Sequence, residues 1–178
     1  MGRVLTRLET LDRELQSRPA HPILGTASLH ASIIQGGREW SVYPDACRLS
    51  LERRTVIGES AASGAEELRR ILDALKAEDP EFDAEVRTVF SRPPYETPRD
   101  HPITARLRQC ANAVGVPADT VGMSFWTDAA VLGEAGIPSV LFGPGGAGLH
   151  STEEYVRIDE VLVCRNVLAS LAEGWLAQ

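Results

Sequence analysis

The sequence predicts an α/β protein whose first part is α+β: a partial antiparallel sheet with two helices on one face, followed by a separate α/β segment. Three observations carry this. Two helical apolar stripes bracket a pair of alternating segments, a proline-rich run interrupts the chain near its middle, and a short apolar segment farther on runs into four closely spaced glycines. The proline-rich run places the boundary, giving segments 1–92 and 93–178.

Val4, Leu5, Leu8, Leu11 and Leu15 recur at helical spacing among charged residues, so about the first 17 residues form an amphipathic helix that stops before Pro19. Leu29, Ala31 and Ile33 alternate with His30 and Ser32 and predict a strand up to Gly36 and Gly37. A longer strand is expected from Asp45 to about Val56, with Cys47, Leu49, Leu51 and Arg53 on one face and Arg48, Ser50, Glu52 and Arg54 on the other. Ser63 and Glu66 have the spacing of a capping box, and Ala65, Leu68, Ile71, Leu72 and Leu75 form the stripe of the helix that follows. Glu85 to Phe90 predicts one more strand.

The run Ser91 to Pro98 resists helix and sheet interiors and makes a stiff connection. Pro102 then opens a helix through Ile103, Leu107, Cys110, Ala111 and Val114. Gly122 to Ser124 is expected as a short strand, Asp128 to Leu132 as a helix, and Ser139 to Phe142 as a buried strand. The last helix is expected to start at Asp159 as its cap and to bury Leu162, Val163, Val167, Leu171 and Trp175.

Composition narrows the function. With 178 residues and 43% hydrophobic content the chain can bury a sizeable core. A formal charge of −7 with dispersed basic residues excludes a nucleic-acid footprint. No run of 18 apolar residues predicts a membrane span, and the absence of a signal-like start leads to the expectation of a cytoplasmic protein. Cys47, Cys110 and Cys164 are odd in number and sit in apolar patterns, which predicts buried free thiols in a reducing compartment.

The stretch from Phe142 through Gly143, Gly145, Gly146 and Gly148 to His150, then Ser151 to Val156, delivers a histidine from the end of an apolar segment through a flexible turn. Such a histidine can bind a metal through a neutral ring nitrogen; a surface histidine beside a helix start is the plain alternative. Together with His21 to Gly25, Gly36-Gly37, Tyr43 to Arg54 and Gly58-Glu59, and with Ser124 to Ala129, this stretch resembles the dinuclear-zinc amidohydrolase and peptidase family that includes acetylornithine deacetylase, succinyl-diaminopimelate desuccinylase, aminoacylase and carboxypeptidase G. The blocks occur in the family's order over nearly the whole chain.

The resemblance implies that residues 1–92 correspond to the lid or dimerisation domain without its first strand, and that residues 93–178 correspond to the carboxy-terminal part of a zinc-peptidase-like catalytic domain. It implies hydrolysis of an amide bond in an N-acyl amino acid, dipeptide or related small-molecule amino-acid derivative, at two zinc or cobalt ions in a complete enzyme, and a homodimer. It also implies roles for single residues. His150 would be a metal ligand. Gly143, Gly145 and Gly146 would cradle a substrate carboxylate, Arg54 would be placed to hold a substrate carboxylate, with Arg53 as the competing position, and Thr127 would shape the site beside Asp128.

The family's early His-x-Asp pair, bridging Asp and Glu-Glu pair have no counterpart among these residues, and His21, His30, His101 and His150 include no close pair. The chain is therefore expected to be the latter part of a larger enzyme, to bind no metal tightly by itself and to hold no catalytic acid or base. Two alternatives stay open: a catalytically inactive dimerisation or structural fragment, and a module that binds an anionic metabolite without turnover. Ser41 stands where many family members have Asn, which leaves the lid's contact with the scissile carbonyl undefined.

Overall fold

In a computed structural model, residues 1–149 and 151–176 are described. The elements are α1 (Gly2–Ser17), β1 (Ser28–Gly36), β2 (Cys47–Arg54), α2 (Ser63–Glu78), α3 (Pro102–Ala113), α4 (Ala129–Glu134), β3 (Gly146–Ala147), β4 (Tyr155–Val156) and α5 (Ile158–Leu176). They divide into two compact units, one of residues 1–94 with 122–126 and the other of residues 95–121 with 127–178. The short 122–126 segment enters the first unit against the His21–Gly25 turn, where Gly122 lies so close to the Ile23 carbonyl that no side chain fits.

In the first unit, β1 and β2 pair antiparallel, and α1 and α2 pack over the face that carries Leu29, Leu49 and Leu51. Leu15 and Leu75 are almost wholly buried, at 0% and 1% exposure, and each stabilises the fold by roughly 1.5–3 kcal/mol. A long-range bond fastens helix to sheet, with the Leu29 N–H donating to Asp12 Oδ1 at 3.0 Å.

The alternation expected of β1 fails halfway along. A bulge between Ala31 and Ile33 shifts the register, so that Leu29 and Ala31 share the helix-covered side with Ile34, the partner of Leu49, while Ile33 pairs with Ser50 on the open side. Cys47, expected to be buried, is exposed at the end of β2, whereas Cys110 and Cys164 are buried free thiols. The capping box at Ser63 does not form. Ser63 is already helical, Ala62 precedes it without a side-chain cap, and Ser60 Oγ accepts from the Ala62 N–H at 3.1 Å instead.

Residues 85–90 form no strand, and Val89 and Phe90 are exposed. Their apolar alternation suits a sheet, but a strand exists only with a ladder partner, and none pairs with them among the described residues.

The second unit centres on Leu107, Cys110 and Ala111 of α3 and Val167 of α5, with Val140, Phe142, Val163 and Leu171 packed around them. The expected strands at 122–124 and 139–142 are absent for the same reason as at 85–90. The last helix begins at Ile158, one residue before the expected cap, which puts Asp159 in its first turn. Leu162 and Trp175, expected in the core, remain 49% and 42% exposed: Leu162 lies off the Val163, Val167 and Leu171 stripe that packs with α3, and Trp175 continues that stripe beyond Leu171, the last α5 residue of the cluster. His101, by contrast, caps α3 with its ring, Nδ1 accepting from the Ile103 N–H at 3.2 Å.

The first unit also buries an ion cluster. The Arg53 side chain, 5% exposed, bonds Glu67 Oε2 through Nε at 2.8 Å and Glu59 Oε1 through Nη2 at 2.7 Å. Glu59 also accepts from the Val56 N–H at 2.9 Å, and Arg18 approaches both carboxylates at 3.4 Å. Burial alone would push the Glu59 carboxyl up, but the Arg53 bond, the Val56 N–H and the Arg53 and Arg18 charges outweigh it and hold the carboxyl below its ordinary range. Burial likewise opposes the Arg53 charge, and its bonds to Glu67 and Glu59 reverse the effect and raise it.

Arg53→Ala is expected to destabilise this unit by about 3–5 kcal/mol in urea unfolding, because it strands two carboxylates with little access to water. A group lowered in the folded state contributes stability above its unfolded pKa and loses it as pH falls through the folded value. Glu59→Gln should therefore flatten the acid limb of the stability curve below the ordinary carboxylate range; a limb as steep as that of the wild type would show that Glu59 does not contribute.

Candidate functional site

Two features of the second unit come from the residues singled out in the sequence. The first is a cleft of about 550 Å³ walled by Ile103 and Leu107 of α3, Leu168 and Leu171 of α5, and Val140 to Phe142, with Thr127 and Asp128 among its lining residues. Thr127 and Asp128 reach it because they lead into α4. Asp128 is the residue before that helix, but its side chain makes no cap bond. Tyr95 fixes the 138–142 wall. Its hydroxyl accepts from the Ser139 N–H at 3.0 Å and donates to Thr97 Oγ1 at 2.8 Å, because the single Thr97 hydroxyl proton goes to the Ser139 carbonyl at 2.6 Å. The Tyr95 ring lies against Gly133, where a Cβ would collide with it.

The second feature is the glycine loop that follows directly on Phe142. The sequence reading missed that it closes into a hairpin, in which Gly146 pairs with Val156 and Ala147 with Tyr155. Glycine is required at 146 by close approach, since a Cβ there would strike the Tyr155 carbonyl. At Gly148 a φ of +76° and contact with the Glu153 carbonyl impose the same requirement. The Gly145 N–H is engaged by Glu160 Oε2 at 2.6 Å, and the Gly145 carbonyl accepts from the Arg157 N–H at 3.1 Å. Nothing in the apolar or glycine pattern marked Glu160; the available signal was the Arg157/Glu160 pair one helical turn apart, beside a glycine run.

His150, expected as the metal ligand, lies outside the described residues. Among the described residues no group of three or more His, Cys, Asp or Glu side chains converges to hold a metal ion. A zinc site takes about three or four protein ligands. The described residues therefore do not fit a metal centre by themselves.

In the first unit the two candidate arginines separate. Arg53 is consumed by Glu59 and Glu67, whereas Arg54 lies on the sheet face away from the helices, 41% exposed, with its Nε 3.4 Å from Glu52. His30 shares that open face as the register partner of Glu52, its Nδ1 3.8 Å from the carboxylate and its Nε2 3.4 Å from Ser28 Oγ. His21 belongs to a turn in which it and Gly25 exchange backbone bonds of 2.8 and 3.0 Å.

Residues 9–174 match the sequence profile described as peptidase family M20/M25/M40. The chain is 34% identical over 173 residues to an acetylornithine deacetylase from Myxococcus xanthus, covering 94% of this chain and 44% of that protein. It is 25% identical over 195 residues to an N-formyl-4-amino-5-aminomethyl-2-methylpyrimidine deformylase from Bacillus subtilis, covering all of this chain and 46% of that protein. Among solved structures, a tripeptidase from Staphylococcus aureus superposes with a TM-score of 0.73 at 16% identity, over 98% of this chain and 46% of the other. Aminopeptidase PepT from Bacillus cereus gives a TM-score of 0.70 at 16% identity, over 96% and 44%. The chain spans less than half the length of these relatives.

Tyr95→Phe is expected to leave the Ser139 N–H without its acceptor and to cost about 1–3 kcal/mol. Faster amide exchange at Ser139, with the α3 interior unaffected, is the signature; unchanged exchange would mean that water replaces the hydroxyl without loss.

Proposed function

Because this chain belongs to peptidase family M20/M25/M40, we propose that it forms the substrate-holding and metal-completing part of an amidohydrolase that cleaves an amide bond in an N-acyl amino acid, dipeptide or related amino-acid derivative. The observation that carries the reading is the match to acetylornithine deacetylase over 94% of the chain. The names of the other relatives, a deformylase, a tripeptidase and an aminopeptidase, fit the same bond class and differ in substrate, which leaves the acyl or peptide portion open.

In this reading Arg54 holds the substrate carboxylate. Its exposed guanidinium offers a planar fork with matching geometry, while Arg53 beside it is already occupied. Gly143, Gly145 and Gly146 shape the loop that receives an anionic group, Gly145 through loop geometry alone because its N–H is taken by Glu160. Thr127 borders the cleft. His150 is read as one ligand of a two-ion zinc or cobalt centre that the described residues do not complete by themselves. When bound, such ions supply an activated water and polarise the carbonyl.

Coexpression of the chain with the amino-terminal half of the Myxococcus xanthus deacetylase tests the assignment. Hydrolysis of an N-acyl amino acid panel should appear, vanish with His150→Ala, and show a KM raised roughly 30- to 100-fold with Arg54→Ala, the loss of a charge-assisted pair. The chain alone, given zinc or cobalt, should turn over none of the panel. Turnover with two tightly bound ions in the isolated chain would contradict the division of labour proposed here.

A homodimer belongs to the same proposal. The hairpin of β1 and β2 leaves the outer edge of each strand without a ladder partner among the described residues, and edges of this kind pair readily with a second copy. Sedimentation at several concentrations should show a dimer; a monomer at the highest concentration would contradict it.

A further inference from the structure

The glycine loop poses a physical problem that the family match does not address. Four of the six residues from Gly143 to Gly148 are glycine, and a glycine-rich segment has the most conformational freedom to lose on ordering. A loop that receives a charged group must nonetheless be ordered before the ligand arrives, or binding bears the ordering cost. Something outside the loop has to hold it.

The structure places that hold at one peptide position. The Gly145 N–H donates to Glu160 Oε2 at 2.6 Å, and its carbonyl accepts from the Arg157 N–H at 3.1 Å. Arg157 closes the ring, because its guanidinium pairs with Glu160 Oε1. The space is filled to contact: a Cβ on Gly145 would meet both the Glu160 carboxylate and the Arg157 guanidinium. Glu160 sits in the first turn of α5, which is anchored to the core through Val163 and Val167. The clamp thus connects the loop to a helix packed into the core of its unit, and the adjoining β3–β4 ladder starts at the next residue, Gly146.

We propose that Glu160 is a positioning residue, whose carboxylate, held by Arg157, fixes Gly145 and thereby sets the geometry in which the glycine loop receives an anionic substrate group. The inference rests on the reading of that loop as a substrate site. A carboxylate suits the task because one oxygen serves the backbone donor while the other faces the guanidinium. Glutamine keeps an acceptor for the amide and loses the charge; alanine loses both.

The test uses the full 178-residue chain, labelled for amide exchange by NMR. Glu160→Ala should speed exchange at Gly145 and along the Gly146–Val156 pair roughly tenfold or more, the consequence of a lost charge-assisted bond, while Cys164 and Val167 in α5 keep their protection. Added acetate should restore part of the protection in Glu160→Ala, which a generally loosened helix would not allow. Glu160→Gln should fall between wild type and alanine, and it carries the test if the alanine variant does not fold. Unchanged exchange at Gly145 in a folded variant overturns the proposal.

N-acetylglycine serves as the second probe. Its titration should shift the amides of the glycine loop in the wild type, more weakly in Glu160→Gln and least in Glu160→Ala. Loss of exchange protection in Glu160→Ala, with no N-acetylglycine shifts in the wild type, would support the clamp and count against the loop as a substrate site. Equal N-acetylglycine affinity in wild type and Glu160→Ala would overturn the positioning role.

Discussion

A backbone N–H or carbonyl withdrawn from water needs a partner, and in this protein that demand decides which apolar segments become strands. Ser28–Gly36 and Cys47–Arg54 satisfy one another in an antiparallel ladder interrupted by one bulge, and the first unit's helices can then cover one face of the pair. Residues 85–90 and 139–142 have comparable apolar character but no ladder partner among the described residues. At Ser139 the Tyr95 hydroxyl and Thr97 Oγ1 take the place of a neighbouring strand, accepting from its N–H and donating to its carbonyl. Side-chain oxygens do there what a sheet would otherwise do, and the cleft wall keeps its extended course.

The same pleat sorts the two adjacent arginines. Successive side chains of β2 point to opposite faces. Arg53 is opposite Leu29, on the side covered by helices, and the buried guanidinium finds Glu59 and Glu67. Arg54 is opposite Ser28, on the open side, with its Nε 3.4 Å from Glu52. The substrate role proposed for Arg54 is thus available because its neighbour has taken the structural one.

Period carried most of what the sequence could tell. The stripes of α1, α2 and α3 and the proline that opens α3 were legible because each rests on local sterics and a repeating apolar face. The failures are of another kind. The bulge after Ala31 depends on pairing with β2, α2 starts after Ala62 without a side-chain cap, and the two-residue ladder of Gly146 and Ala147 depends on Tyr155 and Val156. For the site, the sequence marked the glycine run and Thr127, but not Glu160, whose role exists only once α5 brings its first turn beside Gly145. A local pattern reports an element; it carries no record of which backbone amide a distant carboxylate will meet.

Those carboxylate-to-amide contacts recur, and two of the three use an arginine as counter-charge. Asp12 holds the Leu29 N–H, Glu59 the Val56 N–H and Glu160 the Gly145 N–H, each at an irregular point where the chain enters or leaves regular structure. In the last two an arginine binds the same carboxylate, Arg53 on Glu59 and Arg157 on Glu160. A carboxylate that serves a backbone amide while partly shielded from water needs a counter-charge that leaves the amide's approach open. A guanidinium does this through a fixed planar fork along one side of the carboxylate, whereas a lysine ammonium is a strongly hydrated point charge on a mobile stem. Lys76 is the only lysine in the sequence, and arginine supplies every other basic side chain apart from histidine. At Glu59 and Glu160 the choice has a structural consequence: the arginine orients the carboxylate, and the carboxylate in turn orients the backbone.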